Sequence, residues 1–380
     1  MDNKIKSMEK NKYLAALCAL LLGAVYSPLA ISGKIPVDQL SSLVSIIAFA
    51  LLIIGAKRIS SVLPAAIIYF LLYAATASHL IGSIVILVFT IASLAANELI
   101  LSRGNVWKMI SVFAFLPVSV VAAYFLSGTL LAMIIAAIPF ILATLLWIGI
   151  KFKKNRKTVI IHLTFGLVLM ALIGLACYML ALGKSFTDMR EAFISSRDAL
   201  MNYILSYSVE MNGETVALIG DADLARELFL SASNSLPAVI VIAFITVSYF
   251  LYGYQSSMLE KFGGIEYITE DITQIKISAA AAATYLIAFV FSITTDSYGG
   301  EPFGSVVCKN LYMILTPALV YAGFTSVRNF IIKKKIRIGF LLLLPLALIA
   351  MTGYLLMALS LVGIICIFAA SAREWAAKKD

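Results

Sequence analysis

The sequence predicts an all-α, polytopic integral membrane protein with about twelve transmembrane helices. Three observations lead to this prediction. Apolar residues make up 62% of the 380 residues and charged residues only 13%, against roughly 45–50% and about 25% in ordinary globular proteins. Runs without charge, such as residues 14–32 and 311–326, exceed or approach the ~18–20 residues that a helix needs to cross a bilayer. The basic residues gather between these runs. A soluble enzyme is therefore excluded as the main interpretation.

The apolar runs give the predicted spans in chain order. The first six lie near residues 13–33, 39–56, 60–78, 80–101, 107–126 and 129–150. The second six lie near residues 158–182, 234–254, 277–294, 305–327, 338–354 and 356–372. Only His79 and Leu80 separate the third span from the fourth, and the last two spans could be one tilted span. Ten spans is the alternative count. The predicted domains are a six-helix bundle over residues 1–157 and a second bundle over residues 158–380.

The distribution of charge predicts the orientation. If the amino terminus is cytoplasmic and the side alternates with each span, the inner side carries 23 of the 29 basic residues but only 9 of the 20 acidic residues. Basic residues concentrate on the cytoplasmic side of membrane proteins. The sequence therefore predicts a multi-pass protein of the bacterial plasma membrane with both termini cytoplasmic. The net charge of +9 comes from the basic residues that lie between the spans on the predicted cytoplasmic side, so no nucleic-acid partner is expected.

Residues 183–233 form the one long segment outside the predicted spans. Its apolar residues Phe186, Met189, Phe193, Leu200 and Ile204 recur at helical spacing, which predicts an amphipathic helix. Asp221 is a suitable N-cap for a second helix, and Asn212-Gly213 is a turn signal. We expect an amphipathic helical hairpin on the outer surface. It would lie over the bundle or in the headgroup plane, or it would be a plain connection.

No motif indicates catalysis or metal binding. His79 and His162 are the two histidines, and the predicted topology puts them in opposite leaflets. The four cysteines lie singly without metal-ligand spacing. There is no paired intramembrane aspartate, nucleophile motif or nucleotide-binding loop. We therefore expect no enzymatic activity, no catalytic residue, no metal site and no cofactor.

Two groups of polar residues near the hydrocarbon are the candidate substrate-binding residues, because burying such groups is costly. Asn97 and Glu98 lie at the inner end of the fourth span. Lys309 and Asn310 enter the tenth span after an outer turn that contains Glu301. The alternative for Glu98 is a carboxylate that reaches the headgroups. The alternative for Lys309 is a side chain that extends to the interface. We expect Asn310 to face the bundle and to find a partner there.

Two resemblances bear on function. Residues 185–375 resemble the YybS-like predicted bacterial membrane proteins, a family of unknown function. The matching pieces are Leu228-Phe-Leu230, Leu236-Pro-Ala-Val-Ile240, Asn310-Leu-Tyr312 with Gly323, and Leu361-Val-Gly363. The first half, with Ala15-Ala16-Leu17, Gly23 and Pro28, looks like the substrate-binding subunits of energy-coupling-factor vitamin transporters. That likeness implies a solute pocket among the first six helices, together with a separate coupling subunit and an ATPase as partners.

Two functions are therefore expected as alternatives. The first is binding or transport of a small solute in the manner of a transporter substrate-binding subunit. The second is a non-transporting membrane scaffold that assists assembly of the cell envelope or of a membrane complex. The lipid bilayer is the expected partner in both cases.

Overall fold

The computed structural model describes residues 37–55, 79–102, 105–206, 208–211, 214–217, 222–263, 277–296, 303–333 and 353–377. This part of the chain is helical apart from one short β-hairpin. A π-helical turn, Leu259–Gly263, continues helix α8. The helices in chain order are α1 (Val37–Gly55), α2 (His79–Leu101), α3 (Val106–Ser127), α4 (Leu130–Lys151), α5 (Arg156–Leu182), α6 (Phe186–Ser206), α7 (Ala222–Asn234), α8 (Leu236–Met258), α9 (Ala279–Asp296), α10 (Phe303–Lys333) and α11 (Gly353–Ala376).

Seven helices in the described residues are long and apolar enough to cross a membrane. They are found at Leu80–Leu101, Val106–Ser127, Leu130–Lys151, Arg156–Leu182, Leu236–Phe262, Gly304–Asn329 and Leu356–Arg373. Two shorter apolar helical segments, Gln39–Gly55 and Ala279–Thr294, also coincide with predicted spans. The predicted spans near residues 13–33, 60–78 and 338–354 lie outside the described residues. The total of about twelve therefore stays a prediction.

Polar caps set the ends of the apolar helices. The side chains of Asn105, Thr129 and Asn155 accept hydrogen bonds from backbone N–H groups three residues later, at the starts of α3, α4 and α5. Gly128 and Gly183 end α3 and α5 in the left-handed conformation, with φ of 69° and 61°. Glycine adopts this conformation without the penalty that a Cβ brings.

The outer segment contains more than the predicted pair of helices. Between α6 and α7, strand β1 (Ser208–Met211) pairs antiparallel with β2 (Glu214–Ala217), and Val209 lies opposite Val216. The prediction of a plain helical hairpin is incomplete here. The sequence Asn212-Gly213, which is typical of a tight turn between paired strands, lies outside the described residues. Four-residue strands are too short to give a clear alternating pattern, so the sequence does not indicate them.

Helix α6 begins with a reciprocal cap. The Ser185 N–H and hydroxyl both donate to the Asp188 carboxylate at 2.8 Å, and the Asp188 N–H donates back to the Ser185 hydroxyl. These bonds, with help from the charge of Lys184, hold the pKa of Asp188 below its ordinary value. Three members of the predicted apolar stripe, Phe186, Phe193 and Leu200, are more than half exposed, so the described residues leave them largely uncovered.

The chain forms two compact units. The first comprises residues 1–192 and 243–270, and the second comprises residues 193–242 and 271–380. This division differs from the predicted domain boundary at residue 157, because α5 packs on α4 and belongs with the first unit. Helices α6 and α8 each contribute residues to both units.

In the first unit, α2 is the central helix. It packs against α1, α3 and α4, and α4 also packs against α3 and α5. Small residues allow α4 and α5 to approach closely. A Cβ added at Gly149 would lie 2.6 Å from Val159 Cγ2, and one at Gly166 would lie 2.6 Å from Leu145 Cδ1. The core of this unit includes Leu52, Leu87, Leu146, Leu163 and Tyr254.

In the second unit, α9, α10 and α11 pack against one another. The rings of Tyr285 and Phe289 on α9 both meet the ring of Tyr312 on α10 edge-on, at centroid distances of 6.0 and 5.6 Å. Helices α10 and α11 cross where Gly323 and Gly363 bring the two backbones into contact. Close crossings of this type are common at membrane helix interfaces, where small residues permit backbone approach.

Candidate functional site

A buried polar stripe runs along one face of α2. Ser83, Thr90, Ser93 and Asn97 are all buried, and their spacing of seven, three and four residues places them on one helical face. The hydroxyl of Ser83 donates to the Ser41 carbonyl of α1 at 3.0 Å. The hydroxyl of Thr90 donates to the Ile86 carbonyl at 2.8 Å. Toward the carboxyl end of α2, the polar groups are not satisfied in this way.

Gln255 of α8 lies against that end of the stripe. Its side chain is 0% exposed. In the orientation that hydrogen bonding requires, its amide nitrogen donates to the Ser93 carbonyl at 2.7 Å and its oxygen accepts from the Asn97 N–H at 3.3 Å. These two backbone groups also form one rung of the α2 hydrogen-bond ladder. Gln255 therefore attaches α8 to the backbone of α2.

Two side-chain atoms beside Gln255 have no hydrogen-bond partner within the described part of the chain. They are the Ser93 hydroxyl oxygen and Asn97 Oδ1. A buried polar atom left in this state costs about 1–3 kcal/mol, and most such atoms in native proteins are paired with a protein group or an ordered water. We call Ser93, Asn97 and Gln255 the Gln255 site. Its chemistry is uncharged: one amide oxygen that needs a donor and one hydroxyl that can donate or accept.

Helix α8 continues its polar face away from the Gln255 site. Ser248, Tyr252 and Gln255 lie at helical spacing and are all buried. The Thr164 hydroxyl of α5 lies 3.2 Å from the Ser248 hydroxyl. The Arg156 guanidinium lies over the ring of Tyr249 at 4.4 Å and near that of Tyr252 at 5.7 Å. The polar residues of α8 thus link it to both α2 and α5.

The end of α8 also holds α1 in place. The Tyr254 hydroxyl donates to the Leu52 carbonyl at 3.1 Å, and Lys261 Nζ donates to the Ile54 carbonyl. Both acceptors are carbonyls in the last turn of α1, which lack partners within their own helix. Gly55 is required at this point, because a Cβ there would lie 2.2 Å from the Tyr254 hydroxyl. These contacts fix the helix that faces Ser83 of the polar stripe.

The two predicted groups of site residues belong to different units. Asn97 is part of the Gln255 site. Glu98, the next residue, points about 100° away around α2 and is half-buried, so it lies on a different face of the helix from Asn97. Lys309 and Asn310 belong to the second unit. Glu301 lies outside the described residues.

Asn310 uses its amide to join two helices. Its oxygen accepts from the Ala238 N–H at 2.8 Å, and its nitrogen donates to the carbonyls of Asn234 and Val306 at 2.7 and 2.8 Å. Asn234 ends α7 and Ala238 is in the first turn of α8. Asn310 thus satisfies backbone groups at the break between α7 and α8. Lys309 Nζ donates to the Ser231 hydroxyl of α7 at 3.0 Å.

The sequence pattern did not indicate Ser93 or Gln255 as site residues. It placed the inner end of the eighth span near residue 254, so Gln255 fell in a predicted loop, whereas α8 extends to Met258 and its π-helical turn to Gly263. The available signal was the spacing of Ser83, Thr90 and Asn97 along an otherwise apolar helix. Within the described ranges no group of three or more His, Cys, Asp or Glu side chains could hold a metal ion.

The helices and their buried polar residues define a polytopic α-helical membrane protein. The sequence matches the family described as "predicted membrane protein (DUF2232)" over residues 66–366. The chain therefore belongs to this family of membrane proteins of unknown function. No curated protein and no solved structure matches the chain. The bilayer is thus its environment, and the family gives no activity.

Proposed function

We propose that the protein binds a small uncharged solute at the Gln255 site, in the manner of a transporter substrate-binding subunit. The observation that supports this proposal is the pair of unsatisfied buried atoms, the Ser93 hydroxyl and Asn97 Oδ1. They lie on helices whose neighbouring residues, such as Leu94 and Leu251, belong to the hydrophobic core of the first unit. Unpaired polar atoms in an apolar core are expected where a ligand supplies the missing bonds.

The site favours a particular solute chemistry. Asn97 Oδ1 can only accept a hydrogen bond, so the solute must present an N–H or O–H group there. Among the described residues no charged group hydrogen-bonds to Ser93, Asn97 or Gln255. An ion would lose its hydration without a counter-charge, which is costly in a low-dielectric interior. A small polyol or amide fits these requirements. Movement of the solute across the membrane would require a coupling subunit and an ATPase, or an equivalent energy source.

The replacement Asn97→Leu tests this proposal, because it separates binding from folding. Leucine has a similar size and removes the unsatisfied oxygen. We expect the solute-free protein to be unchanged or up to about 2 kcal/mol more stable, while solute binding falls about tenfold or more. The measurements are the thermal midpoint in nanodiscs and native mass spectrometry with a panel of small polyols and amides.

Asn329→Leu is the matched control, since Asn329 is exposed near the end of α10. It should leave solute binding unchanged. An ordered water could also satisfy both atoms. In that case no solute would be retained by the unmodified protein, and Asn97→Leu would change stability only. That result would refute the proposed function.

The orientation and the number of spans are part of the same proposal. We infer twelve spans, with both termini and residues 151–157 on the cytoplasmic side of a bacterial plasma membrane. Exposed positions on the two sides are suitable for labelling: Lys154, between α4 and α5, and Asn202 on α6. In a cysteine-free background, a membrane-impermeant maleimide added to intact cells should label Asn202→Cys but not Lys154→Cys. Labelling of both after permeabilisation is the control, and the reverse pattern in intact cells would overturn the orientation.

One observation favours the second function, a membrane scaffold. The exposed apolar side chains Phe186, Phe193 and Leu200 lie at seven-residue intervals on α6, which is the spacing of a helix that meets a partner along one face. Gentle purification distinguishes the two functions. A scaffold should retain envelope proteins in fixed ratio, lose them in Phe193→Ser, and bind no small solute. A solute-binding subunit should retain a small solute, and it should not carry envelope proteins in fixed ratio.

A further inference from the structure

The second polar feature of the first unit lies where α5 begins, at Arg156. The guanidinium carbon lies 4.4 Å from the centroid of the Tyr249 ring and 5.7 Å from that of Tyr252. Contacts of this kind between a cation and aromatic faces are favourable and fix the orientation of the guanidinium. We call Arg156 with Tyr249 and Tyr252 the Arg156 site.

Arg156 has no carboxylate partner within the described ranges. Its Nε is buried and makes no hydrogen bond, whereas the residue as a whole is partly exposed. Neither terminal amino group of Arg156 is a buried atom without a partner. A guanidinium held in a fixed orientation can donate two parallel N–H bonds to one anion. Phosphates and carboxylates are the common anions that fit this geometry.

The surroundings of Arg156 are strongly basic. Residues 151–157 contain Lys151, Lys153, Lys154, Arg156 and Lys157 and no acidic residue. Lys151 itself lies over the Trp147 ring at 4.7 Å. These residues connect the ends of α4 and α5, both of which are long enough to span a membrane. The basic cluster must therefore lie at the level of the lipid headgroups.

We propose that the Arg156 site binds the phosphate of an anionic phospholipid, with the guanidinium as a bidentate donor. Lipid phosphates are present at this depth on every side of the protein, and anionic headgroups bind in basic sites between membrane helices. Exposed apolar residues on the same part of the chain, Phe152, Ile161 and Phe165, offer contacts for the acyl chains. The inference is independent of the proposed solute.

Native mass spectrometry of the full-length protein tests the inference. Released from mixed vesicles of phosphatidylglycerol and phosphatidylcholine with matched acyl chains, the protein should retain phosphatidylglycerol selectively. We expect Arg156→Gln to reduce that retention about tenfold. Lys154→Gln is the matched control, because it removes one exposed positive charge from the same stretch. It should change retention by less than twofold.

A further variant covers the case in which Arg156→Gln does not fold. Tyr249→Leu keeps every positive charge but removes the ring beneath the guanidinium, and it should reduce the preference for phosphatidylglycerol several-fold. Equal losses for Arg156→Gln and Lys154→Gln would show a diffuse attraction and refute the site. Equal retention of both lipids would also refute it. Displacement of the lipid by millimolar inorganic phosphate would show that the site takes a soluble anion rather than a lipid.

Discussion

Gly323→Ala is expected to force α10 and α11 apart and to lower the thermal stability of the protein substantially. A Cβ at Gly323 would lie 1.9 Å from the Leu359 carbonyl oxygen and 2.8 Å from its carbon. Both atoms belong to the backbone, so no side-chain rotation can relieve the clash. The two helices must separate by an ångström or more, and the contacts around Leu319 and Ile364 in the core of the second unit would loosen. We expect the free energy of unfolding to fall by about 1–3 kcal/mol or more.

Thermal unfolding in nanodiscs, followed by intrinsic fluorescence, measures this effect. Gly253→Ala is the matched control, because a Cβ there meets no atom of the described residues within 4 Å. Alanine is also the better helix former, so Gly253→Ala should be neutral or slightly stabilising. Gly363→Ala should resemble Gly323→Ala, since its Cβ would lie 2.3 Å from the Leu319 carbonyl oxygen. Because the two glycines meet at one crossing, the double variant should lose less stability than the sum of the two single losses. Equal stability of Gly323→Ala and Gly253→Ala would contradict the observed crossing.

Asn310→Leu is expected to destabilise the joint between α7 and α8. The replacement removes three hydrogen bonds to backbone groups of Asn234, Ala238 and Val306. It also leaves the Ala238 N–H, at the start of a membrane helix, without its partner. Individual hydrogen bonds inside membrane proteins are often worth less than 1 kcal/mol, but an orphaned buried group costs more. We therefore expect the free energy of unfolding to fall by about 2–4 kcal/mol in total.

Two variants separate this joint from general effects of the substitution. Asn329→Leu makes the same chemical change at an exposed position of the same helix and should be close to neutral. Lys309→Gln should cost less than Asn310→Leu, because the bond from Lys309 to Ser231 joins two side chains, whereas Asn310 bonds three backbone groups. Thermal stability and the yield of folded protein are the measurements. If Lys309→Gln were the more damaging change, Lys309 would bind an anion and the joint would not depend on Asn310.

The membrane helices were largely predictable because the bilayer imposes its thickness on the sequence. Helices α2 and α4 begin and end within about one residue of the predicted spans. Basic residues mark the carboxyl ends of both, at Arg103 and Lys151, because a charge is costly to bury in hydrocarbon, and the polar turn Ser127-Gly128-Thr129 precedes α4. The sequence also predicted that the Asn310 side chain has a hydrogen-bond partner, because an amide at this depth needs one. The sequence predicted a short helix before a span that starts near residue 234, but it did not indicate that Asn310 bonds to the break between them.

The remaining features depended on which surfaces meet. A single sequence shows that Asn97 and Gln255 are polar, but they are 158 positions apart, and neither pattern nor spacing indicates that Gln255 joins the α2 backbone. The same holds for the crossing of Gly323 and Gly363, and for the assignment of α5 to the first unit rather than the second. Hydrophobicity is not directional, so it determines that a helix enters the membrane without choosing its neighbour. Close packing and hydrogen bonds are short-ranged and directional, and only the tertiary structure decides where they form.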